Sequence, residues 1–425
     1  MSIVCMKFGG TSVADAEKIL TAAKRAVRYH KQGHQVVMVV SAMGKTTDTL
    51  ESLAASIMPN PPKREMDQLL ATGEQVTISL MAMAMESLGA PAISFTAGQI
   101  GILTDDAHTK AKIKSIDIQR VHKQLDTGRI VIVAGFQGVT EDGHITTLGR
   151  GGSNVTLVAL AAALNADACE NYTDVDGIYT ADPRIVPTAR KIPSISYDEM
   201  LELASLGANV LHNRAVEFAK KYNVPIHVRS SLNTNKGTMI VAETETMERI
   251  VVSGAALKNK LARVTLDKVK DEPGFAARIF HTLAKNDIVV DDIIQTIHDG
   301  EATVSFTVEL SDLPEARKVI ESLQSKLNCS ATFEDHLAKV SVVGVGMRIH
   351  TGVAEKMFAA LAEANINIEN ITTSEIRISC LVNEAQGKEA LRLVHDAFDL
   401  GTAVSKRKKT GKKPRKKAAR KKTGK

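Results

Sequence analysis

The sequence contains no tryptophan, and its aromatic residues make up only 4% of the chain. It therefore has few of the side chains that usually stack on nucleic-acid bases or sugars. Its cysteines form no CxxC pair and show no metal-ligand spacing; they are Cys5, Cys169, Cys329 and Cys380. We expect them to be buried thiols in a reducing compartment.

Long apolar runs are also missing. None approaches 18 residues, and the N-terminus lacks a charged stretch followed by a long apolar segment. These absences predict a cytoplasmic protein that makes no contact with a membrane.

The net charge of +6 comes from one end of the chain. Residues 406–425 contain 13 Lys or Arg and no acidic residue, which leaves 41 basic against 48 acidic residues elsewhere. The region 401–425 is predicted to be disordered, because its only apolar side chains are small and cannot offset the entropy of ordering. It suits non-specific contact with nucleic acid or another polyanion, and a solubilising extension without a dedicated partner is an equally good interpretation.

The first part of the chain alternates short apolar runs with helical patterns. The runs Ile3–Met6, Val36–Val40 and Ile130–Ala134 are continuous rather than alternating. This pattern predicts an α/β/α sandwich with a mostly parallel sheet that is covered on both faces. Small, polar or Gly residues follow each run, at the edge where such sheets bind ligands.

The second part contains an internal repeat with a period of 78 residues. Gly274 corresponds to Gly352 and Ile288 to Ile366, and each copy reads as strand, Gly-containing turn, amphipathic helix and further strands. The repeat predicts two ferredoxin-like βαββαβ units. A chain of 425 residues should form two or three domains. We predict a catalytic domain over 1–240, regulatory modules over 250–335 and 336–400, and the tail over 401–425.

Three segments carry residues suited to phosphate or carboxylate binding. In the first, Lys7 lies at a strand end before Gly9 and Gly10, where backbone N–H groups and an ammonium can meet phosphate. A solvated lysine beside a tight turn is the alternative. The chain has no GxxxxGK[ST] motif.

The second segment, 146–154, is a Gly-rich loop with Arg150 that leads into a predicted helix over 155–164. Helix N–H groups and the Arg fork suit an anion, although Ser153 or Asn154 is also expected to cap the helix. The third segment, 172–184, places carboxylates, hydroxyls and an Arg after a strand. Alone, it could be a polar turn.

Together these segments resemble the aspartate kinase family, whose catalytic part has the amino-acid-kinase fold. The similar motifs are KFGGTSVAD (7–15), SAMG (41–44), TGE (72–74), GFQGV (135–139), TTLGRGGS (146–153), TDVDGIYTADPR (173–184), EM (199–200), VRSS (228–231) and TSEIRIS (373–379). They cover roughly residues 1–400. The family's tandem ACT modules match the repeat.

The resemblance implies that ATP with Mg²⁺ phosphorylates the side-chain carboxylate of L-aspartate, the first step of lysine, threonine and methionine biosynthesis. It places ATP against Lys7, Phe8, Gly9, Gly10, Ser41, Thr173, Asp174, Tyr179, Thr180, Asp182 and Arg184. It places aspartate against Ser41, Thr47, Glu74, Arg150, Gly151, Gly152 and Ser153. Lys7 and Asn154 are the implied catalytic residues.

Asn154 departs from the family, which usually has Asp after GRGGS. The nucleophile is the substrate carboxylate, which is ionised at pH 7 and needs no general base. Phosphoryl transfer depends mainly on positioning and charge neutralisation, so we expect altered activity rather than a dead enzyme. The alternatives are an amino-acid sensor with an inactive kinase-like domain, or a glutamate or carbamate kinase.

The ACT modules imply feedback by lysine, threonine or both, and pairing of modules in a homo-oligomer. The expected effector residues are Asp271, Pro273, Gly274, Phe275, Ala276, Asp291, Gln295, Val353, Ala354, Asn367, Ile368 and Ser374. Met247 falls at the domain junction, where some relatives start a separate regulatory subunit.

Overall fold

The structure is a computed structural model that describes residues 1–207, 210–243 and 250–402, with only the backbone of 325–327. Met247 and the chain after 402 lie outside the described residues. The start of a separate regulatory subunit at Met247 and the disorder of the tail therefore stay predictions. Within the described part, no helix is both long and apolar enough to cross a membrane.

The described part contains strands and helices that we number in chain order. The strands are β1 (Ile3–Phe8), β2 (Gln35–Val40), β3 (Ala92–Phe95), β4 (Ile102–Thr104), β5 (Ile113–Ile116), β6 (Ile130–Ala134), β7 (Gln137–Val139), β8 (Ile145–Thr147), β9 (Ala168–Thr173), β10 (Ser194–Ser196), β11 (Ile226–Ser230), β12 (Thr238–Val241), β13 (Gly254–Lys270), β14 (Asp291–His298), β15 (Glu301–Glu309), β16 (Ser330–Val343), β17 (Asn370–Thr373) and β18 (Arg377–Asn383). The helices are α1 (Ala16–Lys31), α2 (Thr46–Ile57), α3 (Lys63–Ser87), α4 (Gln119–Asp126), α5 (Gly152–Ala163), α6 (Tyr197–Ser205), α7 (Asn213–Tyr222), α8 (Phe275–Lys285), α9 (Leu313–Leu327), α10 (Val353–Glu363) and α11 (Gly387–Ala397).

The N-terminal part is built on an eight-stranded sheet with the order β10-β12-β11-β9-β1-β2-β6-β3. Every neighbouring pair is parallel except β11 and β12. Helices α1 and α3 pack on one face, and α4, α5, α6 and α7 pack on the other. This confirms the predicted sandwich, and explains why the central strands are apolar on both faces.

A smaller sheet, with the order β5-β4-β7-β8, lies beside the main one. It is tied to α3 through Asp67, whose buried carboxylate accepts hydrogen bonds from the Thr147 hydroxyl at 2.5 Å and from the Thr109 N–H. The Gly-rich segment starts where β8 ends. The small sheet therefore fixes one end of that segment.

The C-terminal part is a single antiparallel sheet with the order β14-β15-β13-β16-β18-β17. Its helices α8 and α10 begin immediately after Gly274 and Gly352, whose φ values of +95° and +86° favour glycine. This confirms the two repeated units. The long strands β13 and β16 join them, since residues 254–258 of β13 pair with the second unit and residues from 261 onward pair mainly with the first.

Helix α6 connects the two parts. The Glu199 carboxylate accepts hydrogen bonds from the Ser253 hydroxyl at 2.6 Å and from the Val345 N–H at 3.1 Å. One turn later, Glu202 pairs with Arg377 at 2.9 Å. Both glutamates therefore bind residues of the C-terminal part directly.

Candidate functional site

The first component of the site is the turn after β1. Lys7 is buried, with 8% of its surface exposed. A Cβ added to Gly10 would lie 2.7 Å from the Ala42 carbonyl oxygen, so only glycine allows this turn to pack on the loop after β2. The Gly9 N–H donates to the Tyr172 carbonyl at 3.3 Å, which joins the turn to β9.

Burial lowers the pKa of the Lys7 ammonium to about 8, and the nearby Asp174 carboxylate partly opposes this shift. Within the described part of the chain, no carboxylate forms an ion pair with Lys7. A buried cation without a close partner is favourable only if an anion arrives. This is the property expected of a phosphate-binding lysine.

The second component is the Gly-rich loop and the start of α5. Helix α5 begins at Gly152, three residues before the predicted start at 155, and Gly151 occupies the N-cap position with no side-chain capping bond. The capping role expected of Ser153 or Asn154 is therefore wrong. The Ser153 hydroxyl instead accepts a hydrogen bond from Ser41 at 3.0 Å, which joins α5 to the end of β2.

The Gly-rich loop leaves a cation at its rim. Arg150 is exposed and, among the described residues, forms no ion pair. His212, the N-cap residue of α7, packs closely against the loop. A Cβ added to Gly151 would lie only 2.2 Å from His212 Cβ, so the loop has no room to shift toward α7. An arginine on a fixed loop, beside the positive N-terminal end of helix α5, suits a carboxylate or phosphate.

The third component is Glu74 in α3. It is 3% exposed, and its Oε1 accepts a hydrogen bond from the Ala42 N–H at 2.9 Å. Its Oε2 has no hydrogen-bond partner among the described residues. Burial raises the pKa of Glu74 to about 7, and the hydrogen bond from Ala42 opposes this shift. Glu74 is thus a buried carboxyl with one oxygen available to a ligand.

The fourth component is the loop after β9. Thr173 donates to the Asp174 carboxylate at 2.9 Å, and Arg184 pairs with Asp182 at 2.8 Å. Tyr179 donates to Asp176 at 2.6 Å. The loop therefore presents several polar groups already joined to one another.

Two residues predicted to bind ATP have side chains that point elsewhere. Thr180 is 1% exposed and its hydroxyl lies 3.0 Å from His395 Nε2, in the C-terminal part. Phe8 is buried and its ring stacks on Tyr172 at 4.7 Å. Only the backbone of Phe8 lies at the strand end. Thr47 is partly buried in the first turn of α2.

A buried cluster that sequence reasoning missed lies on the opposite face of β9. The Glu170 carboxylate accepts hydrogen bonds from Tyr29 at 3.0 Å, Tyr172 at 2.6 Å and Arg229 at 2.9 Å. These partners lie between 2 and 141 positions away from Glu170, and only the fold brings them together. The cluster fixes Tyr172, on which Phe8 stacks.

The predicted effector residues form two groups. Those of the first unit lie at the start of α8 and on β14, and those of the second lie at the start of α10 and around β17. Strands β14 and β17 are the two edges of the C-terminal sheet. The edges approach one another across its polar face, since Thr372 donates to the Asp292 carboxylate at 3.1 Å.

A buried lysine that sequence reasoning missed lies on this polar face. Lys339 is 1% exposed and pairs with Asp291 at 2.7 Å and also with Asp292. Burial acts to raise the pKa of Asp291, but the hydrogen bond and charge of Lys339 outweigh it and leave that pKa lowered. Asp291, a predicted effector residue, is thus already bound to a cation.

Matches to known protein families show which domains the chain contains. Residues 2–230 match the amino acid kinase family, and residues 263–327 and 340–398 each match an ACT domain. These ranges coincide with the sandwich and with the two repeated units. The chain is therefore an amino acid kinase domain followed by paired ACT domains.

Similar proteins of known family identify the family within this class. The chain is 52% identical to aspartokinase 2 of Bacillus subtilis, over 94% of this chain and 98% of that protein. It is 49% identical to an aspartokinase of Mycolicibacterium smegmatis, over 94% and 97%. The chain belongs to the aspartokinase family, which confirms the resemblance read from its motifs.

A solved structure supports the same assignment. The chain is similar to E. coli aspartokinase III in complex with aspartate and ADP, with a TM-score of 0.79 and 26% identity over 93% of this chain and 99% of that one. Another similar structure is aspartokinase III with lysine and aspartate, with a TM-score of 0.76 and 26% identity over 93% and 99%.

Proposed function

We propose that this enzyme transfers the γ-phosphoryl group of ATP to the side-chain carboxylate of L-aspartate, giving 4-phospho-L-aspartate. The observation that carries the proposal is the sheet edge at the ends of β1 and β2. In a chain 52% identical to an aspartokinase, this edge gathers a buried unpaired lysine, a buried carboxyl and a Gly-rich helix start. Together these groups suit a nucleotide and a zwitterionic amino acid.

ATP is assigned to the β1 and β9 side of the edge. The Lys7 ammonium would neutralise phosphate charge and the Gly10 N–H would donate to a phosphate oxygen, while Gly9, whose N–H donates to Tyr172, would let the phosphates approach the turn closely. Asp174 and Arg184, on the loop after β9, would hold the rest of the nucleotide. Phe8 would contribute only its backbone, because its ring is packed on Tyr172.

Aspartate is assigned to the β2 and α5 side. The free oxygen of Glu74 would bind the ammonium, and Arg150 the α-carboxylate, so that one anion and one cation fix the direction of the substrate. Ser41 and Ser153, already bonded to each other, would lie between them. The attacking carboxylate is ionised at neutral pH and needs no base, so the protein's work is positioning and charge neutralisation.

The residues present also fit a magnesium ion. Mg²⁺ usually takes one or two protein carboxylates together with substrate phosphates, rather than a full protein cage. Asp174, which follows β9 next to the end of β1, would supply such a carboxylate. A bound Mg²⁺ would neutralise phosphate charge. No group of three or more His, Cys, Asp or Glu suited to a metal occurs in the described part.

The ACT domains support feedback control by an amino acid, with lysine and threonine as candidates. The predicted effector residues lie at edge strands that carry exposed apolar side chains, among them Ile293, Ile297 and Ile371. Edges of this kind pair readily with another chain, which favours a homo-oligomer. A cytoplasmic location stays a prediction from the sequence.

Steady-state ADP release tests this function, with aspartate, glutamate or carbamate (from ammonium bicarbonate) as acceptor and with lysine or threonine added. We expect turnover that needs aspartate and is lost in Lys7→Met. Turnover with glutamate alone, or with carbamate alone, would show that the enzyme acts on that acceptor instead of aspartate. Binding of an amino-acid effector without turnover on any acceptor would instead support a sensor with an inactive kinase domain.

A further inference from the structure

Asn171, in the middle of the main sheet, is a buried polar residue that the proposed mechanism does not use. Its side chain is 0% exposed, and neither Oδ1 nor Nδ2 has a hydrogen-bond partner among the described residues. A buried amide without partners destabilises a fold by about 1–3 kcal/mol. Native structures rarely leave both atoms of a buried amide in this state, and such a group calls for a functional explanation.

Register places Asn171 beside the catalytic lysine. Lys7 and Asn171 are direct partners in the parallel ladder of β1 and β9. Two residues earlier, Cys5 and Cys169 are also partners, and both belong to the core that includes Val158 of α5. Because side chains alternate along a strand, Lys7 and Asn171 point toward the same face as these cysteines.

Asn154 approaches that face from above. It lies in the first turn of α5, one turn before Leu157 and Val158, which pack in the same core. Because α5 leads into β9, it runs against the strands, and its first turn lies over their C-terminal ends. The Oδ1 atom of Asn154 is buried and also has no partner among the described residues.

The two unmatched amides are complementary. Asn154 Oδ1 needs a donor, and Asn171 Nδ2 is a donor without an acceptor. A hydrogen bond between them would fix which end of the Asn154 amide faces the ligands. We propose that Asn171 is a positioning residue: in the substrate complex it donates to Asn154 Oδ1 and directs the Asn154 NH₂ group to the transferred phosphoryl group.

This arrangement would supply a neutral donor beside the Lys7 ammonium. Phosphoryl transfer spreads charge over the three equatorial oxygens, and a fixed donor stabilises that charge without reorganisation. Asn171 would act only through Asn154 and would not touch the substrates. The inference rests on the proposed kinase function, because it assigns both amides to the phosphoryl-transfer step of that reaction.

The test is a double-mutant cycle between the two positions, measured as aspartate-dependent ADP release. Asn171→Leu keeps the side-chain size and removes both polar atoms. We expect kcat to fall about tenfold with the KM values for ATP and aspartate nearly unchanged, while the Tm rises because a buried unmatched amide is gone. In an Asn154→Ala background, the same change should lower kcat no further.

Cys169→Ala is the matched control, two residues earlier on the same strand and face, and should leave kcat unchanged. Asn171→Ala serves if the leucine variant fails to fold. A fall in both Tm and kcat that persists in the Asn154→Ala background would show a packing role and overturn the inference. So would an unchanged kcat in Asn171→Leu. If wild-type enzyme gave no aspartate-dependent ADP release, the function itself would be wrong.

Discussion

Two buried ionisable residues at the proposed site, Glu74 and Lys7, lower the stability of the free protein and favour ligand binding. Burial raises the pKa of Glu74 and lowers that of Lys7, so each charged form is disfavoured in the free protein. Each group regains its full charge most easily when a ligand of opposite charge arrives. Such sites commonly become more stable when the polar group is removed, and lose activity.

Glu74→Gln tests this at one residue. Since the folded pKa of about 7 lies above the unfolded value, the native state keeps a proton that the unfolded state has lost. The stability from that proton is present at low pH and is lost as the pH rises through 7. At pH 8 the Gln variant should therefore have a higher Tm than the wild type, and an aspartate KM at least tenfold higher, because the ammonium loses its counter-ion.

The measurements are thermal unfolding and initial rates between pH 6 and 9. The wild-type aspartate KM should rise below pH 7, as Glu74 becomes protonated, and that rise should be missing from the variant. Glu51→Gln, an exposed glutamate on α2, is the control and should change neither quantity. A Gln variant with wild-type KM would remove Glu74 from the aspartate site.

Sequence reasoning could foresee residues whose type and position together suggest chemistry, such as Lys7 before two glycines. It could not foresee Asn171 or Lys339, since a lone Asn or Lys in a strand carries no periodic signal. Their significance depends on burial and on partners that are distant along the chain, such as Asp291 for Lys339. Only the fold provides those facts.

At the scale of elements, the site depends on close contact between two turns. The turn after β1 and the loop after β2 are joined by hydrogen bonds from the Ser41 N–H to the Phe8 carbonyl and from the Gly44 N–H to the Gly10 carbonyl. Their backbones are so close that no side chain fits at Gly10. The contact would hold the proposed ATP and aspartate sides at a fixed separation.

Alanine substitutions at Gly10 and Gly9 should affect stability and ATP binding differently. In Gly10→Ala the new Cβ would lie 2.7 Å from one carbonyl oxygen and 3.2 Å from another, so the backbone must shift, and we expect a loss of about 2 kcal/mol in unfolding free energy together with low activity. In Gly9→Ala the nearest atom is Lys7 Nζ at 3.4 Å, the end of a flexible side chain. That variant should fold normally and show mainly a raised KM for ATP.

Denaturant unfolding and ATP saturation curves separate the two outcomes. Equal stability of the Gly10 and Gly9 variants would mean that the turn can move away from the β2 loop. An unchanged KM for ATP in Gly9→Ala would argue against placing the phosphates on this turn.

Element types were predictable from the sequence, and element partners were not. The apolar runs predicted β2 and β6 within one residue of their bounds, and the repeat predicted α8 and α10. The start of α5 was missed, because a Gly-rich stretch gives no helical signal even where Gly152 begins the helix. The joint use of β13 and β16 by both ACT units was also missed, since pairing between distant strands leaves no local pattern.

At the scale of the whole molecule, α6 is one of the elements that link the catalytic and regulatory parts directly. Glu202 accepts from Arg377 of β18, and it is also 3.5 Å from the hydroxyl of Ser374, a predicted effector residue. A change in the position of β17 or β18 on effector binding would therefore move this contact. Helix α6 packs against α7, whose N-terminal His212 supports Gly151 of the Gly-rich loop.

This chain of contacts predicts that Glu202→Gln separates regulation from catalysis. The substitution keeps the side-chain shape and weakens the pair with Arg377, which the proposed substrate sites do not include. We expect kcat without effector to stay within twofold of the wild type. The concentration of effector needed for half-inhibition, with whichever of lysine or threonine inhibits the wild type, should rise at least fivefold, the range of a typical coupling free energy.

Arg377→Met should have the same effect, and the double variant should add little to either single one, because both changes remove one interaction. Glu217→Gln, at an exposed glutamate on the neighbouring helix α7, should leave inhibition unchanged. Direct measurement of effector binding separates the two ways in which inhibition could weaken. Weak inhibition with unchanged effector affinity for the enzyme without substrates means that α6 transmits the signal, whereas loss of effector binding itself would place Glu202 in the effector site and contradict the role proposed for it.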